Sequence, residues 1–349
     1  VSLAIVMADD GIAFDGRVKD EQPLGGAETA FAELAEALAA QGHRVSAHSR
    51  CAAPLDWKGV RWTPIEAGVP DAADLYIANR SWRLIEACPR ARRTAFWIHN
   101  PARYLLKWRY QSRLWRRRPT LVFLGANHRS TYPRWGRGGA RVAIPYGISA
   151  PFLGAAERAA PPPPRAVFLS NPLRSLDWLL ELWAERIFPA VPGAELHVFG
   201  GAAVYGTVGE AQAARVAPIL ERARALAGRG VVLRGALGKT ALAGELAQAR
   251  AFLYRGDPGE TFCNAAAEPQ AMGVPGVVEP IACMAERVRD GETGFVAAGA
   301  AAFAEAAVNL LRDDALWRRM HRNCLKSQRS WTWSAAAAAF AGLGQTILE

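Results

Sequence analysis

Apolar and polar positions along this chain follow two rhythms that take turns. Short apolar runs at 3–7, 75–78, 94–98, 121–124 and 142–145 have the length and the polar borders of buried strands. After the first run comes a long polar loop, 8–24, and then AETAFAELAEALAAQGHRV. There Phe31, Leu34, Ala35 and Leu38 recur at helical spacing before Gly42. Val45 opens the next strand, so the start of the chain predicts a strand–loop–helix–strand unit. A second series begins with a strand at 166–169, a turn at 170–175 and a helix at 176–188. It continues with strands at 195–199, which runs into Gly200-Gly201, and 231–233, a loop at 234–238 and a helix at 239–250. A strand ending at Arg255, a Gly/Pro/Asp turn, a helix opening near Thr261 and a strand through Val278 follow. The tail, 301–348, reads as helix, broken at Ser330-Trp331-Thr332-Trp333-Ser334.

Strands alternating with helices predict the α/β class, here as two Rossmann-like domains, and 349 residues suffice for two cores. The stretch 150–164 ends in four consecutive prolines, which continue neither a helix nor an interior strand. The organisation this predicts is an N-terminal domain over 1–155, a proline-rich linker over 156–165, a C-terminal domain over 166–329 and a last helix over 330–349.

Composition adds a bound on partners. A hydrophobic fraction of 51% and a mean hydropathy of −0.01 describe a globular chain, and no apolar run reaches transmembrane length. The five cysteines are scattered, without a Cys-x-x-Cys, and read as reduced thiols of a cytoplasmic protein. No His-Glu-x-x-His occurs, and neither Asp9-Asp10 nor Asp313-Asp314 makes a convincing metal site, so no metal is expected. A net charge of +10 asks for an anionic partner: nucleotide phosphates, nucleic acid or an anionic membrane face. Segment 103–118, RYLLKWRYQSRLWRRR, interleaves basic residues with aromatics. As one helix it would align Tyr104, Trp108 and Trp115, which suits an interfacial helix, a nucleic-acid contact or an ordinary amphipathic helix.

Candidate chemistry lies mainly in 253–278, LYRGDPGETFCNAAAEPQAMGVPGVV. Glu260 precedes the expected helix and Glu268 follows eight residues later, a helical rise of about 12 Å. Between them, the first-turn amides near Thr261, Phe262, Cys263 and Asn264 form a seat for a diphosphate. Carboxylates accept from sugar hydroxyls, so this one segment has the chemistry to hold all three parts of a nucleotide sugar. Gly25-Gly26 at the first helix lets backbone approach a phosphate or a sugar, or simply makes a tight turn. His99 ends the 94–98 strand, where ligands gather in open α/β sheets, although a single histidine there also serves structure.

Glu260 and Glu268, followed by Met272-Gly273-Val274-Pro275-Gly276-Val277-Val278, resemble the Glu-x7-Glu signature of retaining glycosyltransferases of family 4. Pro145-Tyr146-Gly147-Ile148 and Asp290-Gly291-Glu292-Thr293-Gly294 are similar to further segments of that family. The resemblance implies a GT-B fold, two Rossmann-like domains facing a cleft, with the last helix returning to the N-terminal acceptor domain. It implies a donor linked to UDP or GDP on the C-terminal domain, and an acceptor that is a glycan, a lipid-linked species or a small molecule. Glu260 would then orient the sugar, Glu268 the ribose, and Arg174 the diphosphate, with His99 near the donor sugar and Leu237 at the base. Asn171 stands near a basic position of the family pattern, so Arg255 or Lys239 is a candidate replacement, and Ile281-Ala282 replaces its glycine pair. Transfer with retained configuration, without metal or other cofactor, is the implied reaction. Possible settings are the cytoplasm and the inner membrane face, through 103–118. A GT-B-type epimerase or phosphorylase, a basic nucleic-acid-binding protein and a non-catalytic homologue remain as alternatives.

Overall fold

Strand-forming runs of the two series pair into two separate sheets. The computed structural model describes residues 2–21, 24–200 and 206–345. It divides into one unit of Val1–Gly147 with Trp331–Glu349, and another of Ile148–Ser330. Proline run 161–164 therefore lies inside the second unit, just before its first strand. Parts of three sequence expectations, 22–23 of the first loop, Gly201 and 346–348 of the tail, lie outside the described residues.

The first unit holds β1 (Ala4–Ala8), β2 (Arg44–Ser49), β3 (Leu55–Trp57), β4 (Val60–Pro64), β5 (Leu75–Asn79), β6 (Arg93–Trp97), β7 (Thr120–Phe123) and β8 (Arg141–Ala143). They lie in the order β3-β4-β2-β1-β5-β6-β7-β8, with β3 antiparallel to β4 and the other neighbours parallel. Sequence patterning missed both: β3 has three residues and none fully buried, and β4, Val-Arg-Trp-Thr-Pro, mixes polar with apolar positions and so shows no continuous apolar run. The Gly26–Ala40 helix buries Phe31, Leu34 and Leu38 against this sheet, where Phe14, Phe31 and Trp62 meet ring to ring at 5.7–6.1 Å. The final helix, Trp333–Gln345, belongs to the same unit: Phe340 packs on Trp97 at 5.1 Å, and Gln41 Nε2 donates to Ser334 O at 2.7 Å. Gly147 is needed here, since a Cβ would come within 2.3 Å of the Trp333 amide nitrogen.

The second unit holds β9 (Arg165–Phe168), β10 (Glu195–Val198), β11 (Val231–Leu233), β12 (Ala251–Leu253), β13 (Gly276–Val278) and β14 (Gly294–Val296). All pair in parallel, in the order β11-β10-β9-β12-β13-β14. Renumbered from its own first strand this is 3-2-1-4-5-6, the doubly wound dinucleotide-fold order.

Three helical expectations need correction. Segment 103–118 is not one helix: a 3-10 turn, Ala102–Leu106, and a helix, Trp108–Arg117, are separated by extended Lys107 at ψ 137°. Tyr104 consequently turns inward to meet Tyr110 at 5.1 Å, while Trp108 and Trp115 stay exposed. The helix expected near Thr261 starts at Asn264, because Cys263 takes a left-handed φ of 67° that no helix propagates. The 176–188 helix includes a π-helical turn at Trp183–Ile187. A long helix, Gly206–Ala225, was not foreseen; Pro218 interrupts its pattern.

Buried His128 fastens two strand ends, accepting from the Leu124 amide at Nδ1 (3.0 Å) and donating from Nε2 to Asn100 O (2.9 Å). Burial lowers its pKa from 6.5 to about 4. The unfolded chain binds a proton in that window and the folded chain does not, so stability falls as pH drops from 6.5 towards 4. The loss from this residue is roughly 3 kcal/mol. Urea unfolding across this range should show a shallower pH slope in His128→Gln than in the wild type; identical slopes would remove the assignment.

Candidate functional site

Open parallel sheets bind ligands beyond the carboxyl ends of their strands, where the strand order reverses. In the second unit that point lies between β9 and β12. The loop leaving β9 carries Arg174 and the loop leaving β12 carries Tyr254 and Glu260. Arg174 Nη1 donates to Glu260 Oε1 at 2.5 Å, Tyr254 Oη donates to the same oxygen at 2.9 Å, and Ser175 Oγ donates to Gly256 O at 3.3 Å. Burial, and then the Glu260 charge, push the Tyr254 hydroxyl above its ordinary range, so it stays a protonated donor.

Both donors to Glu260 converge on one oxygen. Oε2 has no hydrogen-bond partner among the described residues and keeps its lone pairs for a ligand hydroxyl. Two non-glycine residues with left-handed backbone flank the pair, Ser175 at φ 67° and Cys263 at φ 67°. Such strain persists where the surroundings over-determine it, which is common at ligand sites. The Cys263 thiol is pushed well up by burial and then by Glu260, so it stays protonated and is no nucleophile.

Glu268 lies half-buried on the Asn264–Ala271 helix, with Lys239 Nζ 3.5 Å from its carboxylate. Lys239 opens the Lys239–Leu246 helix and its ammonium also reaches Ser149 Oγ. Because four non-helical residues, 260–263, precede that helix, the two glutamates are not separated by a simple helical rise. Asn264 and Ala265 hold the amides that come before the first intrahelical bond, while Phe262 and Cys263 are buried ahead of it. Thr261 is buried, and Arg287 lies over the Phe262 ring at 4.6 Å.

The first sheet reverses between β1 and β5, and polar residues gather there too. Asn79 Nδ2 donates to Asp9 Oδ2 at 2.5 Å, and Arg80 Nη2 reaches Asp9 Oδ1 at 3.2 Å and Glu28 Oε1 at 2.5 Å. Burial works against the Arg80 charge, yet Asp9 and then Glu28 outweigh it and raise its pKa. His99 pairs with Asn79 Oδ1 through Nε2 and with Tyr146 Oη through Nδ1. Burial, then Arg80 and His128, hold its pKa well below 6.5, so the imidazole is neutral at pH 7.

The comparisons with known proteins bear on the second unit first. Residues 163–313 match the family model of glycosyl transferases group 1. That segment contains Arg174, Lys239, Glu260 and Glu268. No match is found among curated proteins. Among solved structures, sucrose-phosphate synthase from Thermosynechococcus elongatus is similar at 17% identity and a TM-score of 0.74, over 97% of this chain and 98% of that one. Anabaena HepE, in complex with UDP and glucose, is similar at 14% identity and a TM-score of 0.69, over 97% and 98%. The E. coli trehalose-6-phosphate structure bound with UDP-2-fluoro glucose is similar at 12% identity and a TM-score of 0.70, over 98% and 99%. At these identities the likeness shows the fold, which is that of the GT-B glycosyltransferases.

The structure thus joins Arg174 to Glu260, and Glu268 to Lys239. Arg255 turns elsewhere, donating from Nε to Glu279 Oε2 at 2.8 Å and lying over the Trp178 ring at 4.9 Å. Leu237 sits half-buried in the loop before Lys239. His99, Gly25 and Gly26 belong to the other unit. Gly25 has a local reason to be glycine, since a Cβ would lie 2.4 Å from Glu28 Oε2. Among the described residues, no group of three or more His, Cys, Asp or Glu is placed to hold a metal ion. Sequence reasoning missed Tyr254, Asn79, Arg80 and the joint role of Asp9 and Glu28. The available signal was position: Asp9 and Asn79 stand directly at the ends of apolar strand runs.

Loss of either Arg174 or Glu260 leaves its partner unmatched, so Arg174→Ala and Glu260→Ala should each destabilise the second unit. A double-mutant cycle in chemical denaturation should give a coupling within roughly 0.5–3 kcal/mol. Strict additivity would mean that the pair does not form in solution.

Proposed function

We propose that this chain is a glycosyltransferase that moves a sugar from a nucleotide-diphosphate sugar, UDP- or GDP-linked, to an acceptor hydroxyl with retained anomeric configuration. The observation that carries this reading is the meeting of Arg174, Tyr254 and Glu260 at the strand-order reversal of the unit that matches the glycosyl transferases group 1 model. Similar structures bound to UDP and glucose, or to UDP-2-fluoro glucose, support a uridine nucleotide sugar as the donor to try first.

In this reading the free Glu260 Oε2 accepts a sugar hydroxyl and Glu268 accepts the ribose hydroxyls. Arg174, Lys239 and the Asn264 and Ala265 amides carry the positive potential for the diphosphate. The bond from the anomeric carbon to the diphosphate oxygen breaks, the acceptor oxygen bonds the same face of that carbon, and its proton passes to the departing diphosphate. Cationic side chains and amides then stabilise charge that grows as the bond breaks, and no divalent ion is required. Roles for His99, Gly25 and Gly26 rest on the family resemblance alone. The acceptor is a glycan, a lipid-linked species or a small molecule, and five buried free thiols fit a reducing, cytoplasmic setting.

Transfer assayed in excess EDTA, with the new linkage assigned by proton NMR, tests the chemistry. Undiminished turnover and an anomeric configuration equal to the donor's are expected. Activity lost to EDTA and restored by Mn²⁺, or an inverted linkage, would contradict the mechanism.

A further inference from the structure

Positive charge is distributed very unevenly along the chain. Residues 87–156 include 14 Lys and Arg and no Asp or Glu, which leaves 28 basic against 32 acidic residues elsewhere. The excess that gives the protein its net +10 is therefore confined to this segment, almost all of it in the first unit.

Within it three tryptophans stand out from the surface: Trp108 at 81% exposure, Trp115 at 64% and Trp135 at 72%. Trp108 and Trp115 are seven residues apart on the Trp108–Arg117 helix, which places them on one face two turns apart. Tyr110 and Leu114 of that helix are buried, so the helix already has its core face and the tryptophans form the opposite side.

Gln111 lies between the two tryptophans on the helix surface, three residues after one and four before the other. Its side chain donates to Tyr132 Oη at 2.8 Å and accepts from the Arg137 amide at 3.2 Å, fastening the loop that carries Trp135 to the helix. Arg141 secures the same loop from below, donating to the carbonyls of Pro133 (3.0 Å), Arg134 (3.2 Å) and Gly136 (2.7 Å). A pocket beside it is lined by Arg129, Ser130 and Arg134. Arg103, Lys107, Arg109, Arg129, Arg134 and Arg137 have no carboxylate partner among the described residues, whereas Arg113 and Arg116 share Glu86.

We propose that this face, the Trp108–Arg117 helix with the Trp135 loop, docks the protein on an anionic phospholipid bilayer. Indole rings settle at the boundary between headgroups and acyl chains, and unpaired basic side chains around them meet the negative surface potential. The pocket of Arg129, Ser130 and Arg134 offers donors to a lipid phosphate. Nucleic acid fits less well: a stacked base covers one side of a ring, whereas rings this exposed are buried fully only by a medium that flows around them. The docking face is independent of the glycosyl-transfer reading and would stand if that chemistry proved wrong.

Co-sedimentation tests the proposal, with vesicles of phosphatidylcholine alone and of phosphatidylcholine mixed with phosphatidylglycerol, at low and high salt. The wild type should bind the anionic vesicles at low salt, weaken as salt screens the charges, and bind neutral vesicles poorly. The variant Trp108→Ser/Trp115→Ser/Trp135→Ser, confirmed as folded by its melting curve, should lose ~10-fold or more in partitioning. Arg134→Ala/Arg137→Ala should lose binding mainly at low salt. Absence of binding to anionic vesicles, or a folded triple variant that binds like the wild type, would overturn the proposal. Tight binding of a single-stranded oligonucleotide without vesicle binding would do the same and assign the face to nucleic acid.

Discussion

A carboxylate buried at the reversal of the second sheet is the constraint on which the rest of the site depends. The Glu260 side chain is only 10% exposed, and a charge so placed persists only if donors are held against it. Arg174 and Tyr254 supply them from loops leaving β9 and β12, which the strand order makes neighbours. Their convergence on a single oxygen has a chemical consequence. The other oxygen keeps its acceptor capacity while the two donors fix the orientation of the carboxylate. The site is in this sense preorganised, with the cost of orienting Glu260 met by the fold rather than by a ligand.

The first unit uses the same device with different residues. Asp9 is fully buried at the reversal of its sheet and is compensated by Asn79 and Arg80, with Glu28 on the far side of Arg80. His99 is joined to this chain of contacts through Asn79 and to Tyr146 on its other side. A neutral imidazole with both nitrogens engaged is suited to holding a hydrogen bond in a fixed direction, and poorly suited to carrying protons at pH 7.

Much of the fold was legible because buried parallel strands are continuous apolar runs that announce themselves, as at β1, β5 and β7. The three-residue β3 and the half-polar β4 carry no such run, and the Gly206–Ala225 helix hides behind Pro218. Around the site, Glu260 and Glu268 could be read from their spacing, and Arg174 from its place in the loop after the second series' first strand together with the family resemblance. Tyr254 and Ser149, which hold Glu260 and Lys239, could not. Tyr254 looked like the end of a buried strand, and Ser149 lies 90 residues from Lys239. The start of the Asn264–Ala271 helix was misplaced because nothing in Thr-Phe-Cys-Asn announces a left-handed residue at Cys263. Motif glycines had a packing reason as well: a Cβ at Gly276 would lie 2.1 Å from the Phe252 ring, and one at Gly273, already at φ 76°, 2.4 Å from His321.

Calorimetric titration of UDP and GDP into the wild type and Glu268→Ala tests whether the second unit recognises a nucleotide. Free nucleotide needs no acceptor and no turnover, so the result reports the site alone. The wild type should bind one of them, and the folded variant should bind it about 10-fold to 100-fold more weakly, as expected for a lost hydrogen bond to a charged group. Failure of the wild type to bind either nucleotide, or equal affinity in the folded variant, would contradict it.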